Sequence, residues 1–571
     1  MPWRPLSLLT HMLLAHAHAG DSPPSRLIGD VVIVGAGASG IALAKAFRRR
    51  GCRSLKVLDK ASTIGGHWGW VPNYVGVGVQ NKREAYRYSD MPMEGASPRA
   101  SARDCVEYLH GYAERHQLLG HVQLGQEVTE IVAARHSCGP ADGDGQRQII
   151  RVRDVATGEQ VTHSADIIIL AAGITPFLPP AVAAAAAAET DPAPRRTPLV
   201  RHSSQLDASL IREAVDAQLR VVIVGGGKSA SECVAALRDA SHPASLIQCV
   251  ASSPSTCAGF EPQLWPHALQ RPILGLFSLS CRLAARSGAL PRWLARVLRW
   301  PLFWMGVLVA SPVGGGCWRT LNGQVMTRRL VRQMRGVRAT RGRLVGLGER
   351  SVLCSAGEEL PADLVVCATG FRIASPPLYV HGDDAQAGGA GAADEGAPHR
   401  PGDDGAPHTR RRLCDVESEQ PLLYRSMVLP QTPRVAAVLY NSMGINAMFS
   451  AELMATWLAA FYASGRAEGA EGTDLRALVE ADALPLRELG GGEPFNNWHF
   501  WRSGETAGGR GYASDYYEEQ IYKDLGMELP SRSLALLRLQ HDEHYYQEAA
   551  ASFEEIARDD LPARGREKRE V

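Results

Sequence analysis

The chain carries almost no net charge: 61 Lys and Arg against 60 Asp and Glu leave +1 over 571 residues. Without an excess of either sign there is no overall basic field for a nucleic acid and no acidic tail of note. Its 11 cysteines are scattered singly, with no C-x-x-C pair and no Cys/His array at zinc spacing. That argues against a metal centre and reads as free thiols in a reducing compartment. Long apolar runs are short in supply too. Within PILGLFSLSCRLAARSGALPRWLARVLRWPLFWMGVLVASP (272–312), the most apolar part, Trp300 to Ala310, is far below the roughly 20 residues a bilayer-spanning helix needs. Arg292, Arg296 and Arg299 recur at helical spacing beside Trp293, Trp300 and Trp304, so this segment reads either as a membrane-interface helix or as a pair of helices covering a substrate tunnel or packing on the domain.

The length calls for two or three domains. No internal repeat is visible apart from two glycine turns. Polar or low-complexity stretches at 140–148, from Ala181 and at 382–412 read as inserts, the last as disordered, and the charged end from Arg558 as fraying. The leader MPWRPLSLLTHMLLAHAHAG has one Arg and an apolar stretch broken by histidines, which fits a targeting signal or a floppy extension.

VVIVGAGASG (31–40) is a buried-strand run followed by Gly35, Gly37 and Gly40 at G-x-G-x-x-G spacing, then the helix pattern IALAKAFRRRG. Such spacing gives a tight turn, a close backbone approach to a pyrophosphate and close helix-strand packing, with free helix amides facing the phosphate. SLKVLD then ends at Asp59, whose carboxylate suits ribose hydroxyls. Gly65-Gly66-His67-Trp68 follows shortly afterwards.

This G-G-x-W turn resembles that of the flavin-containing monooxygenase family. EAYRYSDMPM (84–93) is similar to the family's aromatic-x-Asp-x-Pro segment, IIILAAGITPFLPP (167–180) to its first A-x-G crossover, and ADLVVCATGF (362–371) to its second, A-T-G-F/Y. The resemblance runs in family order over roughly 31–462, and SDYYEEQIYKDLGMELP looks like the family's C-terminal end. One departure stands out. Of the signature F-x-G-x-x-x-H-x-x-x-Y/W only His202-Ser203 remains, with Arg196, Pro198 and Leu206 at the other positions. His202 reads as a structural linker residue or as one that helps move a cofactor.

The second glycine turn, VVIVGGGKSASE (221–232), then has a reason to exist. A flavin enzyme with an external reductant holds two dinucleotides, so it needs two phosphate cradles. Gly225, Gly227 and Ala230 fit G-x-G-x-x-G/A, with Lys228 and Ser229 at the helix start. The next strand, ASLIQCVASS, ends without an acid, which leans toward NADPH over NADH. At each A-x-G, including Thr369 and Gly370, the backbone can pass close to a cofactor.

The expected fold is therefore α/β with two Rossmann-like dinucleotide-binding domains, the NAD(P) domain inserted into the FAD domain. Its expected limits are a leader over 1–28, an FAD domain over 29–205 and 346–465 with an insert at 380–412, an NAD(P) domain over 206–345, and a C-terminal extension over 466–571. What the resemblance implies is an FAD- and NADPH-dependent monooxygenase that forms a C4a-hydroperoxyflavin and oxygenates a nitrogen or sulfur centre of a small molecule, using O2. Its catalytic amide is Gln80 in one register and Asn81 in the other. Gly444, ahead of AMFSAELMATWLAAFY, starts either a helix aimed at the flavin or an amphipathic core helix. Ketone oxygenation and a non-catalytic flavoprotein scaffold are the alternatives. A disulfide reductase is disfavoured, since no C-x-x-x-x-C follows Gly66. The expected location is cytoplasmic or peripheral to a membrane.

Overall fold

The computed structural model describes residues 28–73, 78–79, 83–133, 147–187, 197–251, 328–355, 357–373, 378–381, 410–414, 423–425, 427–429, 432–438, 447–465, 520–527 and 543–558. The leader, the 272–312 segment, Gln80, Asn81, Gly444, most of the 380–412 insert and most of the C-terminal extension lie outside them.

Two parallel five-stranded sheets organise the described chain. The first has the order Val435–Ala437, Ile167–Leu170, Ile28–Val34, Cys52–Asp59, Val122–Leu124. The second has the order Arg338–Arg341, Ile247–Ala251, Val221–Val224, Leu364–Cys367, Leu199–His202. In each, the strand feeding a glycine turn is central, which is why its apolar run is nearly continuous: both faces are covered. Val31 and Ile33 face one core and Val32 and Val34 another, and Val221 and Ile223 alternate with Val222 and Val224 in the same way.

The expected limits of the second domain at 206 and 345 cut through this second sheet. Leu199–His202 and Leu364–Cys367 pair side by side within it, so the sheet takes chain from both sides of those limits. Immediately outside it, Ile174–Pro176 and Phe371–Ile373 form a two-stranded antiparallel ribbon where the chain passes between the two units.

A further five-stranded sheet, mostly antiparallel, covers the first parallel sheet on one face. On the other lie the glycine-turn helix Ala38–Arg50 and the helix Ala447–Ala463 packed against it. The latter is not amphipathic: each of its side chains from Met448 to Ala463 is buried, because it runs through the core rather than along its surface. No helix among the described residues is long and apolar enough to cross a membrane.

Candidate functional site

The carboxyl end of strand Ile28–Val34 turns at Gly35, whose φ of +113° an L side chain rarely adopts. A Cβ there would also collide with the Ala171 carbonyl oxygen. Two backbone bonds lock the turn into the sheet: Gly35 N–H donates to the Leu58 carbonyl at 2.7 Å, and Ala171 N–H to the Val34 carbonyl at 2.8 Å. Gly37 caps the helix without using a side chain, which leaves the first helical amides to face outward. Gly40 sits against the Gly35 carbonyl.

The second turn repeats this construction. Gly225 has a φ of +134°, and its added Cβ would strike the Ala368 carbonyl oxygen. Gly225 N–H donates to Val250 and Ala368 N–H to Val224, both at 2.8 Å. Gly227 caps the helix Lys228–Asp239, again without a side-chain bond. The glycine of each turn therefore packs on the alanine of one of the two A-x-G crossovers. Both anion-ready helix N-termini lie at carboxyl ends of parallel strands, where open α/β sheets take ligands.

Asp59, at the end of its strand, accepts the Ala36 N–H at 2.6 Å through Oδ2 and the Ala61 N–H at 2.8 Å through Oδ1. An ionised carboxylate has about four acceptor positions, so each oxygen retains one for a ribose hydroxyl. The Gly65-Gly66 turn folds back onto the first cradle: Gly65 N–H donates to the Ala36 carbonyl at 3.1 Å, and the position a Gly37 Cβ would take is 3.4 Å from Gly66 Cα. Trp68 donates its indole N–H to the Tyr86 hydroxyl at 3.1 Å and packs against the cores of both units. Thr369 donates its hydroxyl to the Phe177 carbonyl at 2.5 Å, and Gly370 adopts a φ of +90°. Ser229 lies in the first turn of the second helix, half-buried; the Lys228 side chain is not among the described ones.

His202 is buried at the edge of the second sheet. Its Nε2 is 2.9 Å from the Gly370 carbonyl, which only accepts, so Nε2 carries the hydrogen and Nδ1 accepts the Ser204 N–H at 3.2 Å. Burial outweighs the bond to Gly370 and lowers its pKa, which keeps this ring neutral. Leu206, where the resemblance called for Tyr or Trp, is fully buried in the second core.

Beneath the first cradle lies a cluster the sequence reading missed. Lys45, on the inner face of the glycine-turn helix, bonds Glu452 at 2.6 Å and Asp90 at 2.8 Å. Glu452 also accepts the Ser89 N–H at 2.7 Å, while the Tyr112 hydroxyl donates to Asp90 at 2.8 Å. Burial pushes the Asp90 carboxyl up, but His116, Lys45 and Tyr112 outweigh it and hold it well below the usual carboxylate range. The available signal was a lysine amid apolar residues in IALAKAF. Arg83 is held just as firmly: its guanidinium donates to Ser97 and Glu94 carbonyls at 2.8 Å and to Asp104 at 2.8 Å.

Residues 29–254, which take in both glycine turns, match the pyridine nucleotide-disulphide oxidoreductase family. The solved structures that overlay on nearly the whole chain include the polycyclic ketone monooxygenase from the fungus Thermothelomyces thermophila, with a TM-score of 0.57, 14% identity and 92% and 90% of the two chains covered. The two folds are alike. An oxidised steroid monooxygenase bound to NADP shares the fold with a TM-score of 0.53 and 18% identity over 87% of this chain and 97% of that one. Among curated proteins, the FAD-dependent monooxygenase rstn6 of Aspergillus nomiae is 28% identical over 164 residues, or 26% of this chain and 27% of its own length. The FAD-dependent monooxygenase DEP4 of Alternaria brassicicola is 27% identical over 155 residues, 26% of this chain and 25% of its own. The chain thus matches about a quarter of the length of these curated relatives. Among the described cysteines, burial pushes Cys105 and Cys367 up to about 12, far from a reactive thiolate.

Proposed function

We propose that the chain is an FAD- and NADPH-dependent monooxygenase that transfers one oxygen atom of O2 to a nitrogen or sulfur centre of a small molecule. The observation that carries this reading is the duplicated cradle, with Gly35 seated on Ala171 and Gly225 on Ala368. One dinucleotide site would serve a dehydrogenase; two serve electron transfer between dinucleotides. When bound, FAD supplies the two-electron chemistry and the activation of oxygen, and NADPH supplies the hydride.

The residues divide the remaining work. Gly35, Gly37 and Gly40 let the FAD pyrophosphate reach the amides of helix Ala38–Arg50, while Asp59 takes ribose hydroxyls and Gly66 closes the cradle. Trp68, bonded to Tyr86, keeps water from the space between the units. Gly225, Gly227, Lys228 and Ser229 hold the phosphates of NADPH, and Thr369 and Gly370 bring the backbone past it. Gln80 or Asn81 would donate an amide hydrogen bond to the bound flavin.

Ketone oxygenation is the second reading, supported by the fold overlap with a polycyclic ketone monooxygenase. The test is to purify the chain, add NADPH with a panel of amines, sulfides and ketones, and score oxygenated product by mass. A yellow protein that bleaches with NADPH and adds one oxygen to amines or sulfides is expected. Oxygenated ketones alone would favour the second reading, and a protein that binds no flavin would overturn both.

A further inference from the structure

Among the described residues, the chain passes between the two parallel-sheet units through a two-stranded ribbon. Ile174–Pro176 and Phe371–Ile373 pair as a two-stranded ribbon, with Phe177 N–H donating to the Gly370 carbonyl at 3.1 Å. An isolated two-stranded ribbon is marginally stable and twists readily, so it does not by itself fix the angle between the bodies it connects.

One side chain of that ribbon is held from both sides. The Phe371 ring meets His67 edge-on, with centroids 5.0 Å apart at 89°, and meets His202 at 4.9 Å and 74°. The two imidazoles come from different units. His67 directly follows the Gly65-Gly66 turn of the first cradle, and His202 ends the edge strand of the second sheet. His202 cannot swing away, because Nε2 and Nδ1 are both engaged, with Gly370 and with Ser204. His67 in turn stands against Trp68 at 5.6 Å, and Trp68 touches both cores.

We infer that the grip of His67 and His202 on Phe371 sets how closely the two dinucleotide cradles face each other. This makes His67 and Phe371 positioning residues for hydride transfer between them. The inference rests on the two-cofactor reading above. Its physical basis is the distance demand of the reaction: a displacement of about 1 Å between reacting groups can cost on the order of 100-fold in rate. Perpendicular rings at these separations have the favoured edge-to-face geometry, and they resist sliding more than an aliphatic contact does.

The test uses the full chain as purified with its flavin, comparing F371L, H67L, the double variant and the conservative F371Y. Under anaerobic conditions, F371L and H67L should each slow bleaching at saturating NADPH by about 10- to 100-fold, with flavin content unchanged. F371Y should recover most of the rate. The double variant should be no slower than F371L, because both substitutions act through one ring. Hydrogen exchange supplies a readout that needs no cofactor: the Phe177 amide should exchange about 10-fold faster in F371L, with or without flavin. Unaltered bleaching in both single variants, fully additive losses in the double, or unchanged exchange at Phe177 would each overturn the inference. A wild-type protein that holds no flavin would refute the two-cofactor reading instead, and the exchange measurement would then decide this one.

Discussion

The two glycine turns are alike up to their third small residue and differ from there on. Both seat a glycine on an alanine carbonyl and bond it to the neighbouring strand. At the next small position the first has Gly40, whose added Cβ would run into the Gly35 carbonyl, whereas the second has Ala230, which carries its methyl buried at 3% exposure. The helix of the first turn therefore packs closer to its strand. The same helix is tied by Lys45 to Asp90 and Glu452, and its turn is bonded to Asp59; the strand after the second turn ends at Ala251 with no acid. The difference teaches that the phosphate-facing device is shared, while the means of bracing it are not. Among the described residues, the helix of the first turn is tied into a buried charged cluster, whereas that of the second packs in an apolar core with Leu206, Leu210, Ile211 and Met334 and meets Arg329 and Gln333 through Asp239.

Breaking the shared device should have the largest effect. Gly35→Val places a β-branched side chain at a positive φ and against Ala171, so soluble folded protein should be lost; the check is yield and far-ultraviolet circular dichroism. Gly225→Val meets the same two obstacles, a positive φ and the Ala368 carbonyl, and should also lower the yield of folded protein, with whatever folds no longer bleached by NADPH. A Gly225→Val protein that folds and responds to NADPH like the wild type would show that this turn gives way.

Next in size is the buried charged cluster of the first unit. Lys45→Met leaves Asp90 and Glu452 without their shared cation, and should cost about 3–5 kcal/mol in a denaturant titration. Exchanging the third small residues sharpens the comparison further. Gly40→Ala should cost about 1–3 kcal/mol by overpacking, and Ala230→Gly about 1 kcal/mol by loss of a buried methyl and of helix propensity. Equal costs would mean that the two helices pack equally closely.

A smaller effect concerns acid. The carboxyl of Asp90 is depressed in the folded chain, so it binds its proton more readily when unfolded. Its contribution is complete above the unfolded value of about 4 and is lost as pH falls from there toward the depressed folded value. Asp90→Asn should therefore lower stability at neutral pH and flatten the loss below about pH 4, as read by melting temperature against pH.

Much of this was legible in the sequence because it is local. Strand, glycine turn, helix and Asp59 lie within about thirty residues, and the alternation of apolar residues places each strand. What was not legible is long-range. The pairing of Leu199–His202 with Leu364–Cys367 joins segments more than 150 residues apart, and no local pattern marks the edge strand of an inserted sheet. Lys45 meets Glu452 across 407 positions. For the helix Ala447–Ala463 the sequence left open a helix aimed at the flavin or an amphipathic core helix; its polar Ser450, Glu452 and Thr456 are all buried, Glu452 against Lys45 and Ser89. The grip on Phe371 likewise unites residues from three separate stretches.

The central claim is that two dinucleotides sit in two cradles with electrons passing from one to the other. Anaerobic titration of the purified protein with NADPH, followed by the visible flavin absorbance, tests it most directly. The account predicts a yellow protein whose colour is discharged by one equivalent of NADPH and returns when oxygen is admitted. A protein that stays colourless after incubation with FAD, or one whose flavin remains oxidised in excess NADPH, would contradict it.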